Sequence, residues 1–288
     1  MKQFLLVFLF SPLFFAYAQQ TPLLDQLPDS SSETEKISGA FKSTRVINAH
    51  SIEMLRKGNL DFRILHRFGF LDNGLKEFFG LDEASMRMSF DYAITDNFTI
   101  GLGRSTLRKE IDLFAKTRLL QQSSGDKNIP LSIVLAGGAM VWTEKSFAAV
   151  KPDFGDRTSW YVQMLAGRKF TERFSLQLSP IWVYSNMPLS GDENNIFALG
   201  GGARYKFSRR MAFTADYHYT INGLTSQNTN PLSIGIDIET GGHVFQLHFS
   251  NATGMNERAY IMETYGKFFE GDIRFGFNLS RLFQVGRR

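Results

Sequence analysis

Glu83-Ala-Ser-Met-Arg-Met-Ser-Phe-Asp-Tyr-Ala-Ile94 decides the fold. Its even positions are Ala84, Met86, Met88, Phe90, Tyr92 and Ile94, and its odd positions are Glu83, Ser85, Arg87, Ser89, Asp91 and Ala93. Successive side chains of an extended strand point to opposite faces, so this segment has one apolar face and one largely polar face. The same split returns at 110–119, 211–221, 232–239 and 272–280. A soluble sandwich and a membrane barrel both alternate in this way.

Length and connection pattern favour the barrel. Twelve segments read as strands: 60–70, 83–94, 97–107, 110–120, 130–142, 158–170, 173–185, 195–207, 211–222, 231–239, 242–250 and 271–283. Most are close to the roughly 9–11 residues a tilted strand needs to cross a hydrocarbon layer, and longer than the five or six usual in globular sheets. If the first strand rises from the periplasm, the tight links at 95–96, 171–172, 208–210 and 240–241 share one side and the long links 71–82, 143–157, 186–194, 223–230 and 251–270 the other. Short periplasmic turns and longer outer loops mark outer-membrane barrels. The links at 108–109 and 121–129 break the trend. An even strand number also lets the sheet close and lose its edges, as a bilayer demands. The fold class expected is therefore all-β, a transmembrane antiparallel up-and-down β-barrel of about 12 strands.

Aromatic residues gather at the strand ends of the apolar faces. Phe70, Trp160, Trp182, Tyr184 and Tyr219 lie toward the expected outer rim, and Phe98, Phe170, Phe174, Phe207 and Phe283 toward the inner one. Two such girdles suit headgroup depth on the two sides of a bilayer.

Upstream of the barrel the chain reads as an address and a tether. Residues 1–18 combine Lys2, an apolar core from Phe4 to Phe15 and Ala16-Tyr17-Ala18, the pattern of a cleaved signal peptide. Residues 19–37, with Pro22, Pro28 and Ser30-Ser31-Ser32, have the composition of a disordered lead-in. The stretch 38–59 is expected to be a plug or a short helix, since Ser51 to Lys57 before Gly58 could cap two helical turns; 60–283 is the barrel and 284–288 a C-terminal tail. The balance of 32 basic and 28 acidic residues gives a net charge of +4, too small to indicate nucleic acid, and the absence of cysteine removes disulfides and thiolate metal sites.

The polar face carries both signs. Arg63, Arg67, Arg87, Lys116, Arg118, Arg204 and Arg274 stand against Asp91, Asp112, Asp216, Asp237 and Glu239, all expected to face the lumen. Mixed charge suits either a cross-linked filling or a narrow polar channel, because twelve strands lie between the filled eight-strand barrel and the open porin. Gly101, Gly103, Gly200 and Gly202 share the inward parity and would relieve curvature or leave room for a ligand or for the 38–59 segment. His243 and His248 point to opposite faces, so no metal is expected, and no cofactor motif is present.

His248-Phe-Ser250-Asn-Ala252 resembles a stretch of the outer-membrane lipid A deacylases. That resemblance implies His248 and Ser250 as a catalytic pair, with Glu263 or Glu257 orienting the imidazole. The alternation with Phe245, Leu247 and Phe249 turns both residues inward, away from lipid. A wider resemblance rests on Phe41-Lys-Ser-Thr-Arg45, Leu60-Asp-Phe-Arg63, Asp237-Ile-Glu-Thr-Gly-Gly-His-Val-Phe-Gln-Leu247 and Ile273-Arg-Phe-Gly-Phe-Asn278. Spanning roughly 41–283, it is similar to the domain of unknown function 5777, which implies an exported outer-membrane-type barrel and carries over no catalytic residue. The expected partners are outer-membrane lipid and a small polar solute. A periplasmic protein held by residues 19–59 is the alternative reading, and a lipid esterase the second alternative.

Overall fold

The computed structural model describes residues 33–146 and 151–286. The expected signal peptide and residues 19–32 of the lead-in lie outside the described residues. Twelve antiparallel strands form a closed barrel. They are β1 Asn59–Phe70, β2 Ala84–Thr95, β3 Phe98–Ser105, β4 Ile111–Leu120, β5 Ser132–Val141, β6 Thr158–Lys169, β7 Phe174–Ser185, β8 Asn195–Lys206, β9 Met211–Thr220, β10 Leu232–Thr240, β11 His243–Ser250 and β12 Arg274–Gln284. Each pairs with its neighbours in sequence, and β12 closes the cylinder on β1 from Gln284↔Asn59 to Arg274↔Phe70. Every strand expected from alternation is present, with ends displaced by at most three residues.

The period of two sorts the wall into two surfaces. On β2, Arg87, Ser89 and Asp91 are buried inside, whereas Met88 and Phe90 are exposed outside; on β9, Thr214 and Asp216 are buried while Phe213 and Tyr217 are exposed. Phe90 lies mid-strand and is 51% exposed. Phe90→Arg is expected to cost about 2–4 kcal/mol in a bilayer, because the charge would meet hydrocarbon. The urea midpoint of the liposome-refolded protein checks this, and an unmoved midpoint would place Phe90 outside the lipid.

One end of the cylinder carries tight links and is called here the turn end; the opposite, loop end carries long ones. The two links that broke the trend have physical reasons. At the turn end, Ser123–Ser124 pairs with Glu35–Lys36, and Ile37 N–H donates to Gln122 O at 2.8 Å. The long link is thus a strand edge used by the incoming chain, and the disordered lead-in expected to run to residue 37 is corrected at its last residues. At the loop end the short link bends through Leu107–Lys109 with Arg108 and Lys109 at positive φ of 51° and 47°.

The lumen is filled from both ends. Residues 38–57 enter from the turn end as an irregular hairpin, closed by Val46 N–H to Ala49 O at 2.9 Å and Ser51 N–H to Thr44 O at 2.9 Å. The short helix expected over 51–57 does not form. Its amides are spent elsewhere: Ile52 N–H donates to Gln177 Oε1 on the wall and Glu53 N–H to Ser51 Oγ, two residues back. From the loop end, residues 251–264 dip inward and carry helix α1, Glu257–Met262, all six residues of it buried. Asn256 caps it, its side-chain oxygen accepting from Ala259 N–H at 2.9 Å.

Inside, the wall is divided. Phe41, Val46 and Ile52 of the hairpin and Tyr260, Ile261 and Met262 of the helix region pack with Phe114, Val134, Met140, Leu165, Ile181 and Val183 of β4–β7 as one apolar cluster. Across the lumen, β9–β12 and β1–β3 present Asp216, Asp237, Gln246, Asn278, Arg63, Arg67 and Arg87.

Candidate functional site: a lumen closed by two insertions

The hairpin is seated by polar wall side chains that bind its backbone. Asp216 Oδ2 accepts from three consecutive amides at the hairpin tip: Ile47 at 3.1 Å, Asn48 at 2.7 Å and Ala49 at 3.2 Å. Asn278 Nδ2 donates to Ile47 O at 3.0 Å, and Gln246 Nε2 donates to Val46 O. On the opposite side, Gln177 brackets the hairpin, donating to His50 O at 2.7 Å and accepting from Ile52 N–H at 3.0 Å. Lys116 Nζ reaches Glu53 O at 2.7 Å and Thr44 O at 3.3 Å, while Arg63 reaches Ser43 Oγ and Arg67 reaches Asn48 Oδ1, both at 2.7 Å. Inward glycines give the hairpin its room: a Cβ at Gly202 would stand 3.0 Å from Val46, and one at Gly167 3.0 Å from Ile52. Gly103 instead accommodates the Arg87 guanidinium and Gly101 the Phe114 ring, so these positions make space within the wall itself.

The two insertions meet at mid-lumen. Arg45 Nη1 contacts Glu257 Oε1 at 2.9 Å, and His50 Nε2 lies 3.0 Å from Tyr161 Oη and 3.4 Å from Glu257. Nearer the loop end, Arg258 bridges Glu110 and Glu263, each at 2.6 Å, and Asn256 Nδ2 donates to Glu110 at 2.6 Å. Arg108 adds a second bond to Glu263 at 2.8 Å and lies 4.1 Å from the centroid of the Trp142 ring. Burial alone would raise the Glu263 carboxyl, but Arg258 and Arg108 outweigh it and hold the group below the ordinary carboxylate range.

The remaining residues singled out in the sequence fall as follows. Arg87 pairs with Asp112, Asp91 lies 3.6 Å from Arg63, and Arg204 reaches Glu239 at 3.4 Å. Asp237 accepts from Gln246 at 2.9 Å and Thr214 at 3.3 Å. Arg118 is part-buried at the turn end and bonds Gln121. Arg274 sits at the loop-end rim in register with Ser250, its guanidinium carbon 3.6 Å from the centroid of the Phe70 ring and Nη1 donating to Phe68 O. Trp160, Tyr219, Phe170, Phe207 and Phe283 are exposed, and Trp182, Tyr184, Phe98 and Phe174 half-buried, on the outside of their strand ends; Phe70, also half-buried, lies at the loop-end rim beneath Arg274.

His248, Ser250 and Glu263 are not brought together as a proton relay. Ser250 Oγ accepts from Ser233 Oγ and from Ala252 N–H, His248 Nδ1 faces Gln246 O at 3.3 Å, and Glu263 is occupied by two arginines. His248 and Ser250 are buried in the lumen, out of reach of lipid. Glu257, the alternative orienting acid, is bound to Arg45. Sequence reasoning missed Arg45, Glu110, Tyr161 and Arg258. The one available signal was Asn256-Glu-Arg-Ala-Tyr-Ile-Met262, a capping asparagine followed by good helix formers inside a segment read as loop.

Residues 41–283 match the family described as membrane bound beta barrel domain (DUF5777). The chain belongs to this family. The residues matched to DUF5777 take in the hairpin tip and the in-folded helix as well as the wall. No curated protein matches the sequence. Among solved structures, the chain is similar to the NanC porin (10% identity, 77% of this chain, 98% of that one, TM-score 0.47) and the KdgM porin (10%, 77%, 98%, 0.44). It is also similar to Omp33 of Acinetobacter baumannii (7%, 79% of this chain, 99% of that one, TM-score 0.42).

Proposed function

We propose that the protein stands in the outer membrane of a Gram-negative cell, turn end toward the periplasm, as a narrow barrel for a small polar solute that is sealed until its hairpin withdraws. The seating of the hairpin supports this. Asp216, Gln246, Asn278, Gln177 and Lys116 bind main-chain amides and carbonyls of residues 44–53. A lumen meant to stay solid would be filled at least as stably by apolar side chains, since replacing buried ionic groups with packed hydrophobic ones is often neutral or favourable by about 1–4 kcal/mol. A wall that meets peptide amides and carbonyls would offer the same donors and acceptors to water or a polar solute once the hairpin leaves. The exposed aromatic residues at both rims suit headgroup contact on either side of the hydrocarbon.

Conductance in a planar bilayer tests the reading. The full chain is expected to stay closed for long periods, and a form lacking residues 38–57 to conduct steadily, with heat-modifiable gel mobility reporting that both barrels are folded. Silence from both would sink the channel. The alternative, a closed platform for a periplasmic protein, draws on the exposed Glu35–Lys36 strand at the turn end. Co-purification that persists without residues 19–59 would count against it.

A further inference from the structure

A cavity of about 470 Å³ remains at the turn end between the hairpin and the wall of β10–β12 and β1. Its size lies within the range of small-molecule sites, which is about 300–1,000 Å³. Most charges that line it are spent on one another. Asp61 is held by Arg63 at 2.8 Å and by Ser280 Oγ at 2.6 Å, and Glu239 by Lys42 at 2.7 Å.

Two opposite charges on the descending arm of the hairpin form no ion pair among the described residues, although Lys116 and Arg118 on the wall attract one of them, Glu53, from a distance. Glu53 and Arg56 both line the cavity and form no ion pair with each other. The Arg56 guanidinium has no partner among the described residues, and the Glu53 carboxylate accepts only the Phe41 amide, at 3.2 Å through Oε1. A third group is orphaned: Thr44, 7% exposed and lining the same cavity, has a hydroxyl with no hydrogen-bond partner. A buried hydroxyl left unpaired costs free energy that a ligand or water would return.

We propose that this cavity binds a small zwitterion of amino-acid size, its carboxylate taken by Arg56, its ammonium by Glu53, and a further polar atom by the Thr44 hydroxyl. A lining of balanced sign repels neither end of such a molecule, whereas a simple anion or cation would leave one of the two free hairpin charges unanswered. The occupant touches hairpin and wall together, so binding strengthens the seated arrangement by linkage. The site goes beyond the gate and does not depend on it, because occupancy is read by dialysis whether or not the barrel conducts.

Equilibrium dialysis of the detergent-refolded full chain with L-glutamine is the test, run beside N-acetyl-L-glutamine, which lacks the ammonium, and L-glutamine amide, which lacks the carboxylate. L-Glutamine is expected to bind at millimolar concentration or below, and each blocked analogue at least tenfold more weakly. Arg56→Gln should erase the preference for the free carboxylate while keeping that for the free amine. Glu53→Gln, which retains an acceptor for the Phe41 amide, should do the reverse. Equal binding of all three probes, no binding up to about 10 mM, or unchanged preferences in both variants would overturn the assignment.

Discussion

Asp216→Ala is expected to convert a barrel that is closed nearly all the time into one that opens frequently. The carboxylate accepts three successive amides at the hairpin tip. Removing it leaves those donors facing an alanine, and each buried donor without a partner costs about 1–3 kcal/mol. Water entering the vacated space would satisfy some of them. A net loss of ~3 kcal/mol is still about two decades in the ratio of seated to released hairpin. Asn at the same position keeps one acceptor oxygen and should fall between. Single-channel recording reads the opening frequency, and trypsin reads the hairpin itself, since Arg45, 1% exposed when seated, would become cleavable as it leaves. A variant that stays both silent and uncut would show that the hairpin does not depend on Asp216.

The second large effect is expected at the other end of the lumen. Arg258 is 1% exposed and bridges Glu110 and Glu263. Arg258→Met keeps the length of the side chain and deletes its charge, leaving Glu110 a buried carboxylate with no cation and Glu263 with Arg108 alone. Breaking a buried pair from one side costs about 3–5 kcal/mol. Residues 251–264 should then come out of the barrel mouth and become sensitive to protease while the wall keeps its heat-modifiable mobility. Adding Glu110→Leu should restore part of the loss, and if it restores none, the effect of Arg258 lies elsewhere. Acid offers the same route in the native protein. Glu263 has a folded pKa below the ordinary carboxylate range, so its contribution is complete above that range and is lost as the pH falls through the depressed value.

How much of this was legible depends on where the physical signal sits. The wall could be read residue by residue because Met88 against Arg87 and Phe213 against Thr214 obey a period that any strand must obey. The hairpin has no period. Ser51 before Gly58 imitates a helix, yet the amides of 52 and 53 go to Gln177 and Ser51, and only the tertiary structure reveals those partners. The apolar half of the lumen was hidden for the opposite reason: in Ile133-Val-Leu-Ala-Gly-Gly-Ala-Met-Val141 both faces are apolar, so alternation fades where the interior is greasiest. The inward charges were visible as charges. Their use was not, because whether Asp216 binds an arginine or three amides is decided by a segment about 170 residues away in the chain, 169 for Ile47.

The contact between Arg45 and Glu257 joins positions 212 apart in sequence. The loop it closes holds eleven of the twelve strands, β1 to β11, so an unfolded chain would bear the entropy of drawing together ends 212 residues apart, a cost that the folded wall has already met.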